Sequence, residues 1–405
     1  MGPTNKFYWR FDEAAPAIES GVTLQLPSIP AKHRLPESVW SNVTYYAQHV
    51  VRPPLKDPLF FEYNPSIVRL PPDQRVLQDA VYLASFRVSN QHYCLHPSDR
   101  KRLSTASMRA INYLGLALLD SNLTMLSNQV VDVRRHFQSV EDFRLFSLNH
   151  QLYLSSLDEL VPLWLLGAPN GTTRVAPVVF GGTSASWQVS LGHHALCAPC
   201  SKARGACGKN VQYFVSDRQM WVEVWPSAPH QVRRLPEHRC RRSDTPESFV
   251  VTDVEFQPAP AIEGLPSLTR GRGGACCMDL EYEGQNLKVG VAHVKSKRDN
   301  HYLSNWYAFR AEPPFGLVAQ SGYFCLGFGD DDRTGLTQIT TWRTLVLGEI
   351  RVPTCPRIHF VSGLLREGDS VIVTYGINDC VSRFVRVPLS EVVRLLFSSE
   401  SERGM

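Results

Sequence analysis

The hydrophobic pattern of the chain is dominated by pairs of short apolar segments, each pair separated by a tight polar turn. The segments are rich in β-branched and aromatic residues and end at turn formers, which is the signature of a β-hairpin. The predicted hairpins are, in chain order, Ser66–Leu70 with Val81–Val88, Arg144–Ser147 with Gln151–Ser155, Val211–Val215 with Met220–Trp225, Ala275–Tyr282 with Leu287–Val294, and Ile358–Leu364 with Val371–Tyr375.

Five such units, spaced roughly 60–80 residues apart, predict radial repetition of small sheets about an axis. The fold class is therefore all-β, and the predicted architecture is a five-bladed β-propeller. A pair of β-sandwich domains is the alternative that the pattern leaves open. We expect the propeller to span residues 61–397, with insertions at about 183–208 and 328–350 and a tail over residues 398–405.

The two ends of the chain differ from the hairpin region. Residues 1–60 are punctuated by prolines and predict an irregular N-terminal extension that wraps the core. After Pro388, apolar residues recur at helical spacing, which predicts a short C-terminal helix packed on the propeller. These residues are Leu389, Val392, Val393 and Leu396.

Composition narrows the class of partner. The chain has 43% hydrophobic residues and a formal net charge of only +4, and without a basic-aromatic stripe this argues against nucleic acid. No apolar stretch approaches the roughly 18–20 residues that span a bilayer, and Met1–Asp12 lacks the apolar core of a signal peptide. We therefore expect a cytoplasmic protein. Sequons at Asn42, Asn122 and Asn170 keep the secretory lumen as the alternative.

Part of the cysteine content, ten residues in all, is grouped in one region. Cys197 and Cys200 have the C-x₂-C spacing of zinc ligands, and Cys207 and Cys240 could complete a tetrahedral site. A disulfide-tied loop or free thiols fit the same residues. Because a second C-x₂-C pair is missing, we expect no required cofactor and keep a structural zinc as the less favoured alternative.

Polar side chains cluster at the ends of the predicted hairpins, where propeller strands converge on the axis. They are Arg87, Glu141, Asp142, Arg144, Lys209, His230, Arg272, His293 and Asp379. A pocket with a carboxyl proton donor suits glycosidic bond chemistry, which passes through an oxocarbenium-like transition state. Arginine, lysine and histidine in the same pocket could hold a phosphate. Taken alone, an aspartate followed two residues later by arginine is also typical of a surface ion pair.

Short runs at these positions match motifs that occur in a fixed order. Val140–Phe146 is similar to G-V-E-D-P-R-I, Lys209–Asn210 and Pro229–Val232 to K-N-W and P-H-x-V, Val291–His293 to Y-H-G, and Phe360–Gly363 and Val371–Asp379 to V-V-F-x-x-G and Y-Y-G-x-x-D. Asn64–Ser66 and Phe86–Arg87 are similar to an early Asn and a Y-R element. In this order the set resembles the β-mannoside phosphorylases of glycoside hydrolase family 130 and the related β-mannosyltransferases of eukaryotic microbes.

The resemblance implies a five-bladed propeller and inverting chemistry with one essential aspartate. By position, Asp142 would be the general acid in cleavage and the general base in synthesis. The family relays this proton through a sugar hydroxyl, so Asp142 need not touch the glycosidic oxygen. The implied sugar-binding residues are Asn64, Arg87, Glu141 and Asp379. The implied phosphate- or donor-binding residues are Arg144, Lys209 and His293, with His230 and Arg272 as further members.

The acid role of Asp142 makes a demand on its pKa. A carboxyl that donates a proton near neutral pH needs a raised pKa, through burial or a nearby carboxylate such as Glu141 or Asp379. Cations close to Asp142 would oppose this, and a bound phosphate could neutralise them.

Departures from the motifs favour synthesis. Phe143 replaces the proline of the first motif, and most of the motif residues that usually precede the histidine are missing before His293. This divergence is more like the transferase branch than the bacterial phosphorylases. We therefore expect a glycosyltransferase or glycoside phosphorylase that handles mannosyl groups, with a carbohydrate substrate and phosphate, a sugar 1-phosphate or a GDP-sugar as co-substrate. The alternatives are an inverting hydrolase with Asp379 as base and a non-catalytic glycan-binding propeller.

Overall fold

The structure of the chain is a computed structural model. It describes residues 8–10, 19–20, 61–89, 112–133, 136–137, 140–157, 159–167, 187–192, 196–197, 210–226, 230–235, 248–251, 271–295, 302–325, 358–377, 379 and 381–397. Two short strands, β1 (Tyr8–Arg10) and β2 (Glu19–Ser20), come first and join sheets formed by later parts of the chain.

The remaining strands form five sheets in chain order, and each sheet is one blade. Blade 1 consists of β3 (Phe61–Arg69), β4 (Tyr82–Ser89), β5 (Asn112–Leu119) and β6 (Met125–Val131). Blade 2 consists of β7 (Arg144–Leu148), β8 (Gln151–Ser156), β9 (Glu159–Gly167) and β10 (Trp187–Leu191), with β11 (Leu196–Cys197) paired to β9. Blade 3 consists of β12 (Gln212–Ser216), β13 (Gln219–Trp225), β14 (His230–Arg234) and β15 (Ser248–Val251).

The last two blades are completed by the N-terminal strands. Blade 4 consists of β16 (Arg272–Tyr282), β17 (Gln285–Lys295), β18 (Tyr302–Arg310) and β19 (Leu317–Cys325). Blade 5 consists of β20 (His359–Glu367), β21 (Ser370–Ile377) and β22 (Val381–Pro388). Strand β1 adds in parallel to β19, and β2 adds antiparallel to β22. The other residues of the predicted N-terminal extension, and most of both predicted insertions, lie outside the described residues.

The blades close into a ring. The innermost strands β3, β7, β12, β16 and β20 each contact the innermost strands of the two neighbouring blades, and β20 returns to β3. A buried hydrophobic cluster fills every junction between neighbouring blades. The chain is thus a five-bladed β-propeller, as the hairpin pattern predicts, and the pair of sandwiches is excluded.

Tight turns fix the register of the inner hairpins. Asn149 and His150 have φ values of 48° and 64°, and Asp217 and Arg218 have values of 48° and 59°. Positive φ at both central positions defines a two-residue type I′ turn, whose twist matches that of the flanking strands. Each of the five predicted hairpins is the first antiparallel pair of its blade.

The predicted C-terminal helix is present as α1 (Leu389–Phe397). Val392, Leu395 and Leu396 bury their side chains in the cluster between blades 4 and 5, and the ring of Phe397 stacks on Tyr282 with centroids 4.0 Å apart. Among the described residues, no helix combines the length and apolarity that crossing a bilayer requires.

Candidate active site

Polar residues with a left-handed backbone mark one end of the propeller axis. Asn64 has a φ of 52°, Asp142 of 47°, Asn210 of 79° and Asp379 of 47°. They lie within or beside the strands of four different blades. Asparagine and aspartate tolerate this conformation better than other L-residues, and such backbone strain concentrates at functional sites. Three of the four are residues that the sequence analysis assigns to the site.

Asn64 owes its position to a bulge held by the next blade. The β3–β4 register shifts between Tyr63 and Ser66, where Pro65 cannot donate to the ladder. The Pro65 carbonyl instead accepts hydrogen bonds from Ser362 Oγ at 2.6 Å and Thr374 Oγ1 at 2.5 Å. Both donors belong to blade 5, so the bulge that presents Asn64 is fixed from across a blade junction.

Asp142 lies in a dense network between blades 1 and 2. Its Oδ1 accepts hydrogen bonds from Asn64 Nδ2 at 2.9 Å and from Arg87 Nη1 at 3.2 Å. The same Arg87 nitrogen lies 3.0 Å from Glu141 Oε1, and the guanidinium lies over the ring of Tyr63, 5.3 Å from its centroid. The structure therefore brings together four of the residues that the resemblance assigns to the sugar and its proton donor.

Asp379 lies within charge range of the same group of residues. The charges of Asp379 and Asp142 both act on Tyr63 and Arg87. The two aspartates thus share neighbours at one end of the axis, although blade 2 carries one and blade 5 the other.

The surroundings of Asp142 lower its pKa. Burial acts to raise it, but the charge of Arg87, the hydrogen bond from Asn64 and the charge of Arg144 outweigh burial and hold the pKa below the usual 3.8. The prediction of a raised pKa is therefore wrong for the protein groups that surround Asp142. Two guanidinium groups act on the carboxylate, while Glu141 is itself paired with Arg87.

Arg144 extends from blade 2 to the opposite side of the axis. Its Nη1 donates to the carbonyl oxygens of Gly274 on β16 and Ser362 on β20, the latter at 2.8 Å. Its Nη2 is buried and has no partner among the described residues. Burial lowers the pKa of Arg144 to about 10, so the group remains a cation at neutral pH. The guanidinium lies over the ring of Phe360, 5.4 Å from its centroid.

His293 packs on the same phenyl ring. The centroids of His293 and Phe360 are 5.1 Å apart in an edge-on arrangement, and His293 Nδ1 is buried without a partner among the described residues. Burial, with the charges of Arg144 and Arg272, lowers the histidine pKa to about 3. Buried polar atoms are rarely left unpaired. Two such nitrogens on side chains that share one ring make a candidate site for a polar ligand.

His230 occupies a different place, at the junction of blades 3 and 4. Its Nδ1 is 2.7 Å from the Phe315 carbonyl oxygen and its Nε2 is 2.9 Å from Glu223 Oε1. Tyr307 donates its hydroxyl to Glu223 Oε2 at 2.6 Å. Because both ring nitrogens already have protein partners, we leave His230 out of the proposed site, and its role as an anion ligand stays an untested prediction.

Of two further predicted cations, the structure describes one. Arg272 is exposed and pairs across the β16–β17 ladder with His293, so its charge is available at the edge of the site. Lys209 lies outside the described residues, and its role stays a prediction.

The cysteine group is also largely outside the described residues. Cys197 lies in β11, whereas Cys200, Cys207 and Cys240 are not described. No cluster of metal-ligating side chains occurs among the residues that the structure describes, and the zinc hypothesis stays a prediction.

Sequence reasoning missed several residues of the site. Phe360 lies in a matched motif but is given no role by it. Tyr63 and Asn112 carry no sequence signal beyond proximity to Asn64 or to a strand that the hairpin pattern does not predict.

Of the comparisons with known proteins, only the comparison with solved structures finds similar chains. No known family matches the sequence, and no curated protein does. A β-1,2-mannobiose phosphorylase from Listeria innocua is similar at 11% identity and a TM-score of 0.48, over 88% of this chain and 99% of that one. A glycosyl hydrolase from Bacteroides ovatus is similar at 9% identity and a TM-score of 0.45, over 86% of this chain and 90% of that one.

A third similar structure comes from a eukaryote. It is a mannose phosphorylase from Leishmania mexicana in complex with a phosphate ion, at 12% identity and a TM-score of 0.36, over 84% of this chain and 88% of that one. Identities and scores at this level assign no activity to the chain. By its own blade order the chain is a five-bladed β-propeller, and it is similar over most of its length to solved mannoside phosphorylases.

Proposed function

We propose that the chain transfers a hexosyl group, mannosyl by the motif resemblance, with inversion between a phosphate-bearing donor and a sugar acceptor. It would act as a glycoside phosphorylase or glycosyltransferase. The observation that carries the proposal is that the axial site has two parts, one built around a carboxylate and one built around nitrogen donors. A largely buried carboxylate, Asp142, is held by Asn64 and Arg87. Within reach of its charge, Arg144 and His293 each carry a buried nitrogen without a partner among the described residues.

Asp142 is the proton-transferring group in this proposal. It donates in the cleavage direction and accepts in the synthetic direction. The hydrogen bonds from Asn64 and Arg87 both go to Oδ1, so we assign Oδ2 to the substrate hydroxyl. The left-handed backbone of Asp142 is the local strain that presents this oxygen.

Asn64 is assigned to the sugar. Its Nδ2 donates to Asp142, whereas its Oδ1 is buried without a partner among the described residues. Gly376 packs so closely on this amide that a Cβ at residue 376 would overlap Asn64 Oδ1. Glycine at 376 thus leaves room for this oxygen, and we assign the oxygen to a sugar hydroxyl.

The anion site supplies the condition under which Asp142 becomes an acid. A phosphate on Arg144 and His293 would neutralise part of the positive charge that holds the carboxylate ionised. The pKa of Asp142 then rises only when the donor or phosphate is bound. Proton donation is thereby tied to occupancy of the anion site, which fits phosphorolysis and synthesis from a sugar phosphate.

Two observations weigh against the alternatives. An inverting hydrolase needs a second carboxylate on the opposite face of the sugar from the proton donor, and Asp379 shares its neighbours Tyr63 and Arg87 with Asp142. A glycan-binding module for neutral sugars has no use for a buried guanidinium with a free nitrogen, which costs about 1–3 kcal/mol to leave unpaired.

The test is a donor and acceptor screen. Mannose 1-phosphate and GDP-mannose are each incubated with the protein and a panel of sugars, and release of phosphate or GDP is followed. The proposal expects acceptor-dependent release with formation of a new glycoside. Acceptor-independent release of mannose would favour a hydrolase. Sugar binding without release from either donor would favour a binding module.

A further inference from the structure

We propose that Asn112 is a positioning residue for the proton-transferring carboxylate, an inference that rests on the proposed function of Asp142. Asn112 begins β5, the third strand of blade 1, and pairs with Ser89 at the end of β4. It touches neither of the aspartates in the contacts described. Its influence runs through Arg87 and through the backbone that leads to Asp142.

The side-chain amide of Asn112 uses both of its ends. Its Oδ1 accepts a hydrogen bond from Arg87 Nε at 3.1 Å, and its Nδ2 donates to the Val140 carbonyl oxygen at 2.6 Å. Arg87 belongs to blade 1, whereas Val140 lies in the segment that enters blade 2, two residues before Asp142. One amide therefore ties the cation and the carboxylate together across a blade junction.

The bond to Nε fixes the direction of the Arg87 charge. A guanidinium is a rigid planar fork, so the position of Nε determines where the two terminal nitrogens point. With Nε on Asn112 and the guanidinium over the Tyr63 ring, Nη1 lies 3.0 Å from Glu141 Oε1 and 3.2 Å from Asp142 Oδ1. Loss of the Asn112 bond would release this orientation.

The bond to Val140 supports a strained backbone. Asp142 has a φ of 47°, a conformation that persists only where the surroundings hold it. Ser156 Oγ accepts from the Glu141 amide at 2.9 Å and donates to the Glu141 carbonyl at 3.0 Å. Asn112 and Ser156 thus pin the two residues that precede Asp142.

Asparagine suits this position because the position requires one acceptor and one donor. Alanine offers neither group, and serine is too short to span both partners. Asn112 itself carries no charge, so its removal changes the field at Asp142 only by moving other groups. The charged and titratable groups that act on Asp142 or share its site are Arg87, Arg144, Glu141, Asp379, Tyr63 and His293.

The experiment follows the carboxyl carbon of Asp142 by NMR while pH is varied. Its resonance is assigned by its loss in Asp142→Asn. In Asn112→Ala, the freed Arg87 charge should move away from Asp142, and the titration midpoint should rise by about half a pH unit or more. Asn128→Ala is the matched control, since Asn128 lies on β6 of the same blade and donates to Met125 Sδ at 3.2 Å. Its midpoint should equal that of the wild type.

Kinetics give a second readout where the chain turns over mannosyl donors. Asn112→Ala should lower kcat about tenfold with little change in the KM for the acceptor, and Asn112→Gln, which keeps both amide functions, should restore part of the loss. If Asn112→Ala does not fold, Asn112→Ser takes its place with the same expectations.

The titration and the donor screen separate two kinds of failure. Absence of turnover in the wild type would refute the proposed function. The titration midpoint of Asp142 would still decide whether Asn112 positions Arg87. A midpoint that is unmoved in a folded Asn112 variant would overturn the positioning role. An equal shift in Asn128→Ala would overturn it too, because the effect would then not be specific to the Arg87 contact.

Discussion

Two buried histidines on opposite sides of blade 4 have contrasting surroundings. His230, at the junction with blade 3, has a carbonyl oxygen and a carboxylate at its two ring nitrogens. His293, at the junction with blade 5, has a buried Nδ1 without a partner among the described residues. Both residues occupy motif positions that imply anion binding. Their partners, and not their positions in the sequence, decide which one is available to a ligand.

The difference originates in the residues that each junction supplies. Blade 3 provides Glu223 beside His230, and Gly290 leaves room for the hydroxyl of Tyr307 to reach the same carboxylate. Around His293 the neighbours are the rings of Tyr302 and Phe360 and the Gly273 backbone, to which the imidazole is hydrogen-bonded, while Nδ1 has no partner among the described residues. Aromatic rings pack against an imidazole but do not satisfy its ring nitrogen. A polar atom without a partner among the described residues marks the proposed ligand site, and a completed network marks the structural histidine.

The largest effect on turnover is expected from a substitution of Asp142. Asp142→Asn keeps the shape and can still accept hydrogen bonds from Asn64 and Arg87, but it cannot exchange a proton at neutral pH. We expect kcat to fall about 10³-fold with unchanged thermal unfolding. Steady-state release of phosphate or GDP measures it. Activity within a few-fold of wild type would refute the role of Asp142.

The second effect tests the structural histidine. His230→Ala leaves Glu223 buried and short of a partner, and we expect it to lower the free energy of unfolding by about 3 kcal/mol. His293→Ala removes an unpaired nitrogen along with its ring, so its cost should be smaller, about 1–2 kcal/mol. Urea denaturation of the two variants in parallel measures both. Equal losses in the free energy of unfolding would contradict the difference that we infer between the two histidines.

The third effect tests the proposed ligand-binding role of His293. In a folded His293→Ala variant, phosphate or sugar-phosphate affinity should fall about tenfold, the loss of one hydrogen bond to an anion. Affinity for a neutral acceptor should be retained. Isothermal titration calorimetry gives both values, and His150→Asn, in an exposed turn that asparagine tolerates, is the control. Equal losses for both ligands would argue against an anion site at His293.

The fold could be predicted largely from the inner hairpins. Their turns, such as Asp217–Arg218, carry clear signals, and their strands are short and apolar. The outer strands could not be predicted as well. Strand β5, for example, follows a long connection after β4, and β1 and β2 pair with strands more than three hundred residues later. Pairing at such a separation depends on ring closure, which no local pattern encodes.

The sequence predicted that Asn64, Arg87, Glu141 and Asp142 lie together, but it did not predict the charge balance around Asp142. The ordered motifs include Asn64, Asp142 and Asp379, and the structure shows that these three residues share a left-handed backbone. The ionisation of Asp142 depends on where Arg87 and Arg144 point, and that direction is set by contacts such as the one between Asn112 and Arg87. Sequence adjacency suggested Glu141 as a source of like charge, whereas Arg87 in fact binds both carboxylates.

The pKa of Asp142 also sets the pH range in which its charge matters. Because the folded-state pKa lies below 3.8, the ionised carboxylate stabilises the fold at pH values above the unfolded pKa. This contribution is lost as pH falls through the folded value. Neutralising Arg144 with an anion should shift that window upward.

The most direct test is therefore the titration of the Asp142 carboxyl carbon with and without sulfate, a dianion that does not itself titrate between pH 3 and pH 8. If the carboxylate and the pair Arg144–His293 face one cavity, saturating sulfate should raise the Asp142 midpoint by about half a unit. Sulfate should also bind more tightly as pH falls. Sulfate that binds, as reported by His293 resonances, while the midpoint stays fixed would contradict the account.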